Sequence, residues 1–391
     1  MNSVVPRRST WLDSLAKERE YWPKVVGDNY QPLGVAWSRK RGDPMLIHRA
    51  MHQFVSFHDK HGIQILLLGG WCSKRKTRLN DVLLNSGFGT MFKRIRSTCE
   101  WSPRCSFAAV AGHTGDCVYV IGGDDGQVQS DVWLSRDKCR TFSLKTAKAG
   151  WSDRTEFALA LIDAQTLVVC GGRSSSSMGH VFNDVWLSID SGCSWREVCS
   201  RAPWTRRASA SLLAVNGLLL MAGGIGAVAA FDDVWSSSDL GATWSLVSIK
   251  NCPWKARRSF AFVQDHISDE ILIFGGANSD GGPLCDSWAS IDLGVTWIPR
   301  SPLPTESTIA PSCIVDADGR LVLVESSNQQ FAYESVSDLR YVRKDCAFLL
   351  LVGLRLEKIV PRELWVGRIL PFAIDTRQLW KRNRSEWEKL P

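Results

Sequence analysis

Asn183 to Trp195 reads NDVWLSIDSGCSW, and the same sentence returns as SDVWLSRDKCRTF (Ser130 to Phe142), DDVWSSSDLGATW (Asp232 to Trp244) and CDSWASIDLGVTW (Cys285 to Trp297). Self-similarity at a fixed interval is the mark of a repeat architecture, in which each unit buries its apolar face against the next. The rest of the chain falls into place around these four copies.

Upstream of each copy lies an apolar run that ends in two glycines: ILLLGG (Gly69, Gly70), VYVIGG (Gly122, Gly123), LVVCGG (Gly171, Gly172), LLLMAGG (Gly223, Gly224) and ILIFGG (Gly275, Gly276). The intervals between successive pairs are 53, 49, 52 and 52 residues. A run buried on both faces of a sheet must be apolar and rich in β-branched residues, as these are. Before each of the last four runs stands Trp-x-x-Arg: Trp101 to Arg104, Trp151 to Arg154, Trp204 to Arg207 and Trp254 to Arg257. Alternating apolar residues follow, with the period of two that a strand requires. Four strands per roughly 50 residues, separated by turn signals and without a helical period, make one blade of a β-propeller.

The S-x-D-x-G-x-T-W segment that ends each sentence has the chemistry of a turn. Its Asp (Asp137, Asp190, Asp239, Asp292) accepts bonds from loop amides, its Gly takes the left-handed conformation, and its Trp (Trp195, Trp244, Trp297) buries a large ring between sheets. These are expected to be folding residues.

The glycine pair, the downstream D-V-W and the Trp-x-x-Arg before the next unit together resemble the kelch repeat. SIDSGCSW, SSDLGATW and SIDLGVTW resemble the Asp-box hairpin of sialidases and sortilin-like propellers. The resemblance runs from about Gly34 to Ser335. It implies an all-β propeller and names no activity, because the fold hosts many functions.

Units at about 49–95, 104–145, 154–198, 207–249 and 257–300 are complete, although the first is degenerate, with Gly87 where the turn Asp belongs. Ala310 to Ser335 reads as a sixth unit that has exchanged its glycine pair for Glu325 and Ser326. GVAW (Gly34 to Trp37) reproduces GATW, and Trp37 precedes Arg49 by the same 12 residues that separate Trp195 from Arg207. The expectation is therefore a six-bladed propeller over 34–345, closed by an N-terminal strand at 34–40. Seven blades is the alternative. An N-terminal arm with a short helix (1–33) precedes it, and a basic helical tail (346–391) follows.

Composition agrees with a globular protein: the 391 residues are 45% hydrophobic and 22% charged. The start has no apolar stretch of signal-peptide length, and the longest apolar run, Phe348 to Leu354, is too short to span a bilayer. The 12 cysteines form no C-x-x-C pair, which points to a reducing compartment, cytoplasmic with nuclear as the alternative. Of the net charge of +7, residues 340–391 supply +6, from 12 Lys and Arg against 6 Asp and Glu. The body is close to neutral, so neither a membrane nor nucleic acid is expected as its partner.

In such a fold the loop after each second strand and the connection between blades emerge on one face, and the S-x-D-x-G turns on the other. The binding face is expected to carry Arg49, Arg104, Arg154, Arg207 and Arg257, the cationic loop Lys74, Arg75, Lys76 and Arg78, and Arg173. A ring of arginines suits an acidic peptide, because guanidinium pairs with carboxylate through two bonds. The alternative is that each Arg forms a structural pair with the Asp of its own blade (Asp131, Asp184, Asp233, Asp286).

An enzyme is not expected. The sialidase resemblance implies an arginine triad, a tyrosine nucleophile with a glutamate partner and an acid/base aspartate, yet no Arg-Ile-Pro occurs, and only Tyr333 beside Glu334 lies in a suitable strand. His48, His52, His58 and His61 cluster without a completing ligand set, so no metal is expected. No G-x-x-x-x-G-K-S/T is present, and no cofactor is expected. In the tail, P-x-E-L-W-x-x-x-I-L-x-F (Pro361 to Phe372) is similar to F-box or SOCS-box-like helices, which join receptors to ubiquitin-ligase scaffolds. The expected function is a protein-interaction scaffold linked through that tail to a ligase, with a glycan-binding or degenerate sialidase-like propeller as the alternative.

Overall fold

A computed structural model describes residues 49–86, 92–112, 114–175, 179–247, 252–265 and 270–300, and the backbone of three further strands at 312–315, 320–324 and 337–338. The first blade contains β1 (Arg49–Ala50), β2 (Gln53–Asp59), β3 (Gly62–Cys72), β4 (Thr77–Ser86) and β5 (Lys93–Arg96). The second contains β6 (Ala108–Ala111), β7 (Val118–Asp124), β8 (Val128–Ser135) and β9 (Ser143–Thr146). The third is β10 (Ala158–Leu161), β11 (Leu167–Cys170), β12 (Val185–Ser188) and β13 (Arg196–Cys199), and the fourth β14 (Ser211–Val215), β15 (Leu218–Ala222), β16 (Val234–Ser237) and β17 (Ser245–Leu246). The fifth is β18 (Ala261–Asp265), β19 (Glu270–Phe274), β20 (Ser287–Ser290) and β21 (Ile298–Arg300).

Every blade is an antiparallel meander, and the first strands β2, β6, β10, β14 and β18 neighbour one another in turn. The second strands form the dry centre: Leu66, Leu67, Leu68, Val120, Val168, Val169, Leu220 and Ile271 are fully buried. Between blades, the Trp-x-x-Arg tryptophan packs edge-on against the ring that closes the next turn. Trp151 meets Trp195 at 4.2 Å, Trp254 meets Trp297 at 6.0 Å and Trp101 meets Phe142 at 6.0 Å. Such T-shaped pairs add to the area that each ring buries.

The expected six blades, or seven, give way to five. The segment expected as a sixth supplies only a three-stranded sheet, β22 (Ser312–Val315), β23 (Arg320–Val324) and β24 (Ser337–Asp338), whose last strand is two residues long. The physical reason is legible. Ala310 to Ser335 keeps two apolar runs but lacks the glycine pair and the D-V-W, and so lacks the parts that hold a blade loop to the sheet. The closing strand at 34–40 and Tyr333 lie outside the described residues, as do the N-terminal arm and the tail. Among the described residues there is no helix, and therefore none long and apolar enough to cross a membrane.

Register settles which residues share a face. In blade 3, Ala158, Cys170, Val185 and Cys199 stand side by side at one end of the sheet, and Leu161, Leu167 and Ser188 at the other. The glycine-pair loop and the connection between blades therefore leave from the first end, and the S-x-D-x-G turn from the second.

Candidate functional site

The loop face is built on a lock repeated in each blade. Arg154 is fully buried; its two terminal nitrogens bond Asp184 Oδ1 and Oδ2, each at 2.7 Å, one of them also reaches Gly171 O at 2.9 Å, and its Nε bonds Ser152 O at 3.1 Å. The indole of Trp186 donates to the same Asp184 at 2.8 Å. Arg104 with Asp131 and Trp133, and Arg207 with Asp233 and Trp235, repeat the pattern. Arg257 with Asp286 and Trp288 keeps it with a single ion-pair bond. In blade 1 the tryptophan position is Leu83, and Arg94 approaches Asp81 at 3.5 Å from the half-exposed side while Arg49 holds the carboxylate with two bonds. The five arginines expected to form a binding ring are thus buried, and apart from Arg49 Nε their donors are occupied by partners inside the blade. The geometry is that of the structural pair.

The glycine pairs complete the lock. Gly171 and Gly172 have φ of +62° and +93°, and a Cβ on Gly171 would lie 2.6 Å from Arg207 O. The neighbouring blade's backbone comes that close because Gly172 N donates to the same carbonyl at 2.9 Å. Only glycine satisfies both the conformation and the space.

Two residues beyond each clamp arginine the chain turns left-handed at a residue other than glycine: Met51, Ser106, Glu156, Ser209 and Ser259, with φ between 50° and 55°. Their amides and carbonyls link in series around the start of the inner strands. Ser106 N donates to Met51 O, Glu156 N to Ser106 O, Ser209 N to Glu156 O and Ser259 N to Ser209 O, at 3.1, 3.4, 2.7 and 3.0 Å. This bonded rim has no common side chain, so the sequence alone did not mark it. Its signal is positional, two residues after each Trp-x-x-Arg arginine. Strain of this kind costs of order 1–3 kcal/mol per residue and persists where the surroundings dictate it.

The side chains of the rim differ from blade to blade. Glu156 accepts from Ser209 Oγ at 2.6 Å and pairs with Arg173 at 3.3 Å. Arg78 pairs with Asp124 of the next blade at 2.8 Å and lies 5.7 Å from the Trp71 ring. Arg206 meets the ring of His180 at 2.8 Å. Arg258 has no carboxylate partner among the described residues, and its Nε is buried without a hydrogen bond. His52, beneath the blade 1 loop, is neutral: burial and then the nearby Arg49 charge lower its pKa to about 3. Lys74, Arg75 and Lys76 are exposed at the tip of the β3–β4 hairpin.

The opposite face carries the S-x-D-x-G turns. Asp190 accepts from Ser188 Oγ at 2.8 Å, Ser194 N at 2.9 Å and Ser194 Oγ at 2.5 Å, and Trp195 Nε1 donates to Gly192 O at 3.2 Å. Asp137, Asp239 and Asp292 are held in the same way by Thr141, Thr243 and Thr296. Burial pushes the Asp190 carboxyl up, but the Ser194 and Ser188 bonds outweigh it and hold the pKa below the usual range. Trp244 and Trp297 donate to Gly241 O and Gly294 O, each at 3.0 Å.

The KLHDC2/KLHL20/DRC7 Kelch-repeats domain matches residues 51–276, more than half of the 391 residues. The chain belongs to this Kelch-repeat family. No curated protein matches it. Kelch-repeat propellers generally bind proteins and are typically non-enzymatic. Among the described residues of this Kelch propeller, no group of three or more His, Cys, Asp or Glu is arranged to hold a metal ion. The ten described cysteines are free thiols, and burial raises that of Cys99 to about 12, far from reactive.

Proposed function

We propose that this Kelch-repeat chain is a non-enzymatic interaction scaffold, and that the face formed by its glycine-pair loops and blade connections binds a protein or peptide. One observation carries the reading: all five blades keep the same buried Arg–Asp lock, while the loops mounted on it share neither length nor chemistry. Blade 1 ends in Lys-Arg-Lys, blade 2 in Asp-Asp-Gly and blade 4 in Gly-Ala-Val-Ala. A rigid frame presenting dissimilar loops on one side is the usual arrangement of a recognition surface. The available binding residues are Lys74, Arg75 and Lys76 at the tip, with Arg78, Arg173 and Arg258 nearer the rim.

The link to a ubiquitin ligase is a further part of the proposal. It rests on the P-x-E-L-W-x-x-x-I-L-x-F string at 361–372, and a cytoplasmic or nuclear setting, read from the lack of any C-x-x-C pair, agrees with it.

Capture experiments with the full chain test both parts. Charge reversal at the loop tips is expected to remove partners that substitutions on the turn face, such as Arg136→Glu, leave bound. Deleting 346–391 is expected to release ligase subunits and retain the loop-face partners. If the loop-face and turn-face variants retain the same partners, the scaffold reading fails. If truncation leaves the ligase subunits bound, the ligase link fails.

A further inference from the structure

We propose that the loop face recognises a peptide of two parts: an acidic segment held by the blade 1 tip, and an aliphatic side chain set against the blade 4 loop. The inference rests on the reading of this face as the protein-binding one and names the chemistry of its partner.

The acidic half follows from the hairpin. Its strands β3 and β4 are 11 and 10 residues long, and its base is fixed by the bond from Arg78 to Asp124 and by the stack of Arg78 on Trp71. The tip carries Lys74, Arg75 and Lys76 side by side, all exposed and none paired with a carboxylate among the described residues. Three adjacent like charges on a rigid stem repel one another, and an anionic ligand relieves that repulsion.

The aliphatic half follows from the loop of blade 4. Gly226 to Phe231 carries no charge, and Ala227, Val228 and Ala229 are exposed, Val228 to 91%. The loop is ordered by its own bonds. Gly226 N donates to Ala229 O, Phe231 N to Gly224 O, and Ala230 N to Ser279 Oγ of the next blade, each at 2.9 Å. Its apolar tip is therefore presented by the backbone, with Pro283 of the next blade's loop also exposed.

On the rim, Arg78 and Asp124, and Arg173 and Glu156, neutralise each other, while Arg206 and Arg258 stand singly and only the tip gathers three cations. That places the acid over the tip. An aliphatic station also argues against single-stranded nucleic acid, which needs exposed aromatic rings for its bases. The one aromatic at the blade 1 loop, Trp71, is half-buried beneath Arg78.

The test uses the full chain and fluorescent peptides in which three glutamates and one leucine are separated by glycine-serine spacers of graded length. Polarisation should give tightest binding at one spacer length, with about a tenfold loss on removing either the acids or the leucine. The K74E/R75E/K76E variant should lose binding and its salt dependence together, and Val228→Ser should weaken binding about tenfold while keeping the salt dependence. Thermal unfolding identical to wild type excludes misfolding as the cause. Equal binding with and without the acids, or stronger competition by an oligouridylate, overturns the proposal. If no peptide binds while the tip variant still releases proteins captured by the wild type, this inference fails and the scaffold reading stands. If captured partners are also unchanged, both fail.

Discussion

Arg154 at the root of a blade loop and Lys74 at the tip of another differ in every respect that matters to function. Arg154 is fully buried and each of its nitrogens has a partner within its own blade, whereas Lys74 stands exposed on a hairpin and pairs with no carboxylate among the described residues. The root recurs in five blades; the tip occurs once. A buried guanidinium holds its loop only while carboxylate and carbonyls take up its donors, so variation there is penalised at once. An exposed tip is free to vary because folding does not depend on it. The difference separates what makes the propeller from what the propeller presents.

The sharpest way to break the comparison is at the root. Arg154→Ala leaves the Asp184 carboxylate with the indole of Trp186 and without its counter-charge, and removes the bond to Gly171 O. Breaking one partner of a buried pair costs about 3–5 kcal/mol. Thermal unfolding should show a large loss of stability, and Arg154→Lys should recover little, because an ammonium cannot make the forked contact. A loss of peptide binding at unchanged stability would return these arginines to the ligand site.

The turn face comes next. Asp190→Ala removes an acceptor of three bonds from Ser188 and Ser194, and about 2 kcal/mol is expected for hydrogen bonds to a charged group in a part-buried turn. The pKa of Asp137, Asp190 and Asp239 lies below the ordinary value in the folded chain, because the Ser and Thr bonds outweigh the opposing push of burial. A depressed folded value means stability that is present above the unfolded pKa of about 3.9 and is lost as pH falls through the folded value. The acid limb of the stability profile should therefore flatten in Asp190→Ala. A limb of unchanged steepness would show that these turns do not contribute to acid unfolding.

Much of this lock was legible in the sequence. Asn183 to Trp195 contains the third strand, the clamp Asp184, its Trp186 and the turn Asp190, because one strand and one tight turn obey local rules of period and side-chain chemistry. The role of the arginines was not decidable there, since Trp-x-x-Arg reads the same whether the guanidinium points at a ligand or at Asp184. The left-handed rim was invisible for a different reason. Met51, Ser106, Glu156, Ser209 and Ser259 share a backbone conformation imposed by bonds between blades, and no side-chain type records it. The blade count failed at Ala310 to Ser335, where two apolar runs resemble a blade while the residues that lock one are missing.

Blade 1 offers a smaller test of the same principle. There Leu83 replaces the clamp tryptophan, and Arg94, whose side chain is 45% exposed, approaches Asp81 instead. An exposed pair contributes no more than about 1 kcal/mol, so Arg94→Ala should destabilise far less than removing the indole donor in blade 3 by Trp186→Phe. Equal effects would mean that the half-exposed arginine has taken over the full duty of the buried donor.

The smallest effect on stability is expected at the tip, and that is what gives it weight. K74E/R75E/K76E touches no partner among the described residues, so its change in unfolding free energy should stay within about 0.5 kcal/mol. If the tip recognises an acidic segment, the same substitution should nonetheless remove binding together with its salt dependence, since no opposite-charge attraction is left for salt to screen. Stability and binding then respond to different residues of the same blades. A tip variant that unfolded early would place these three cations inside the frame rather than on it.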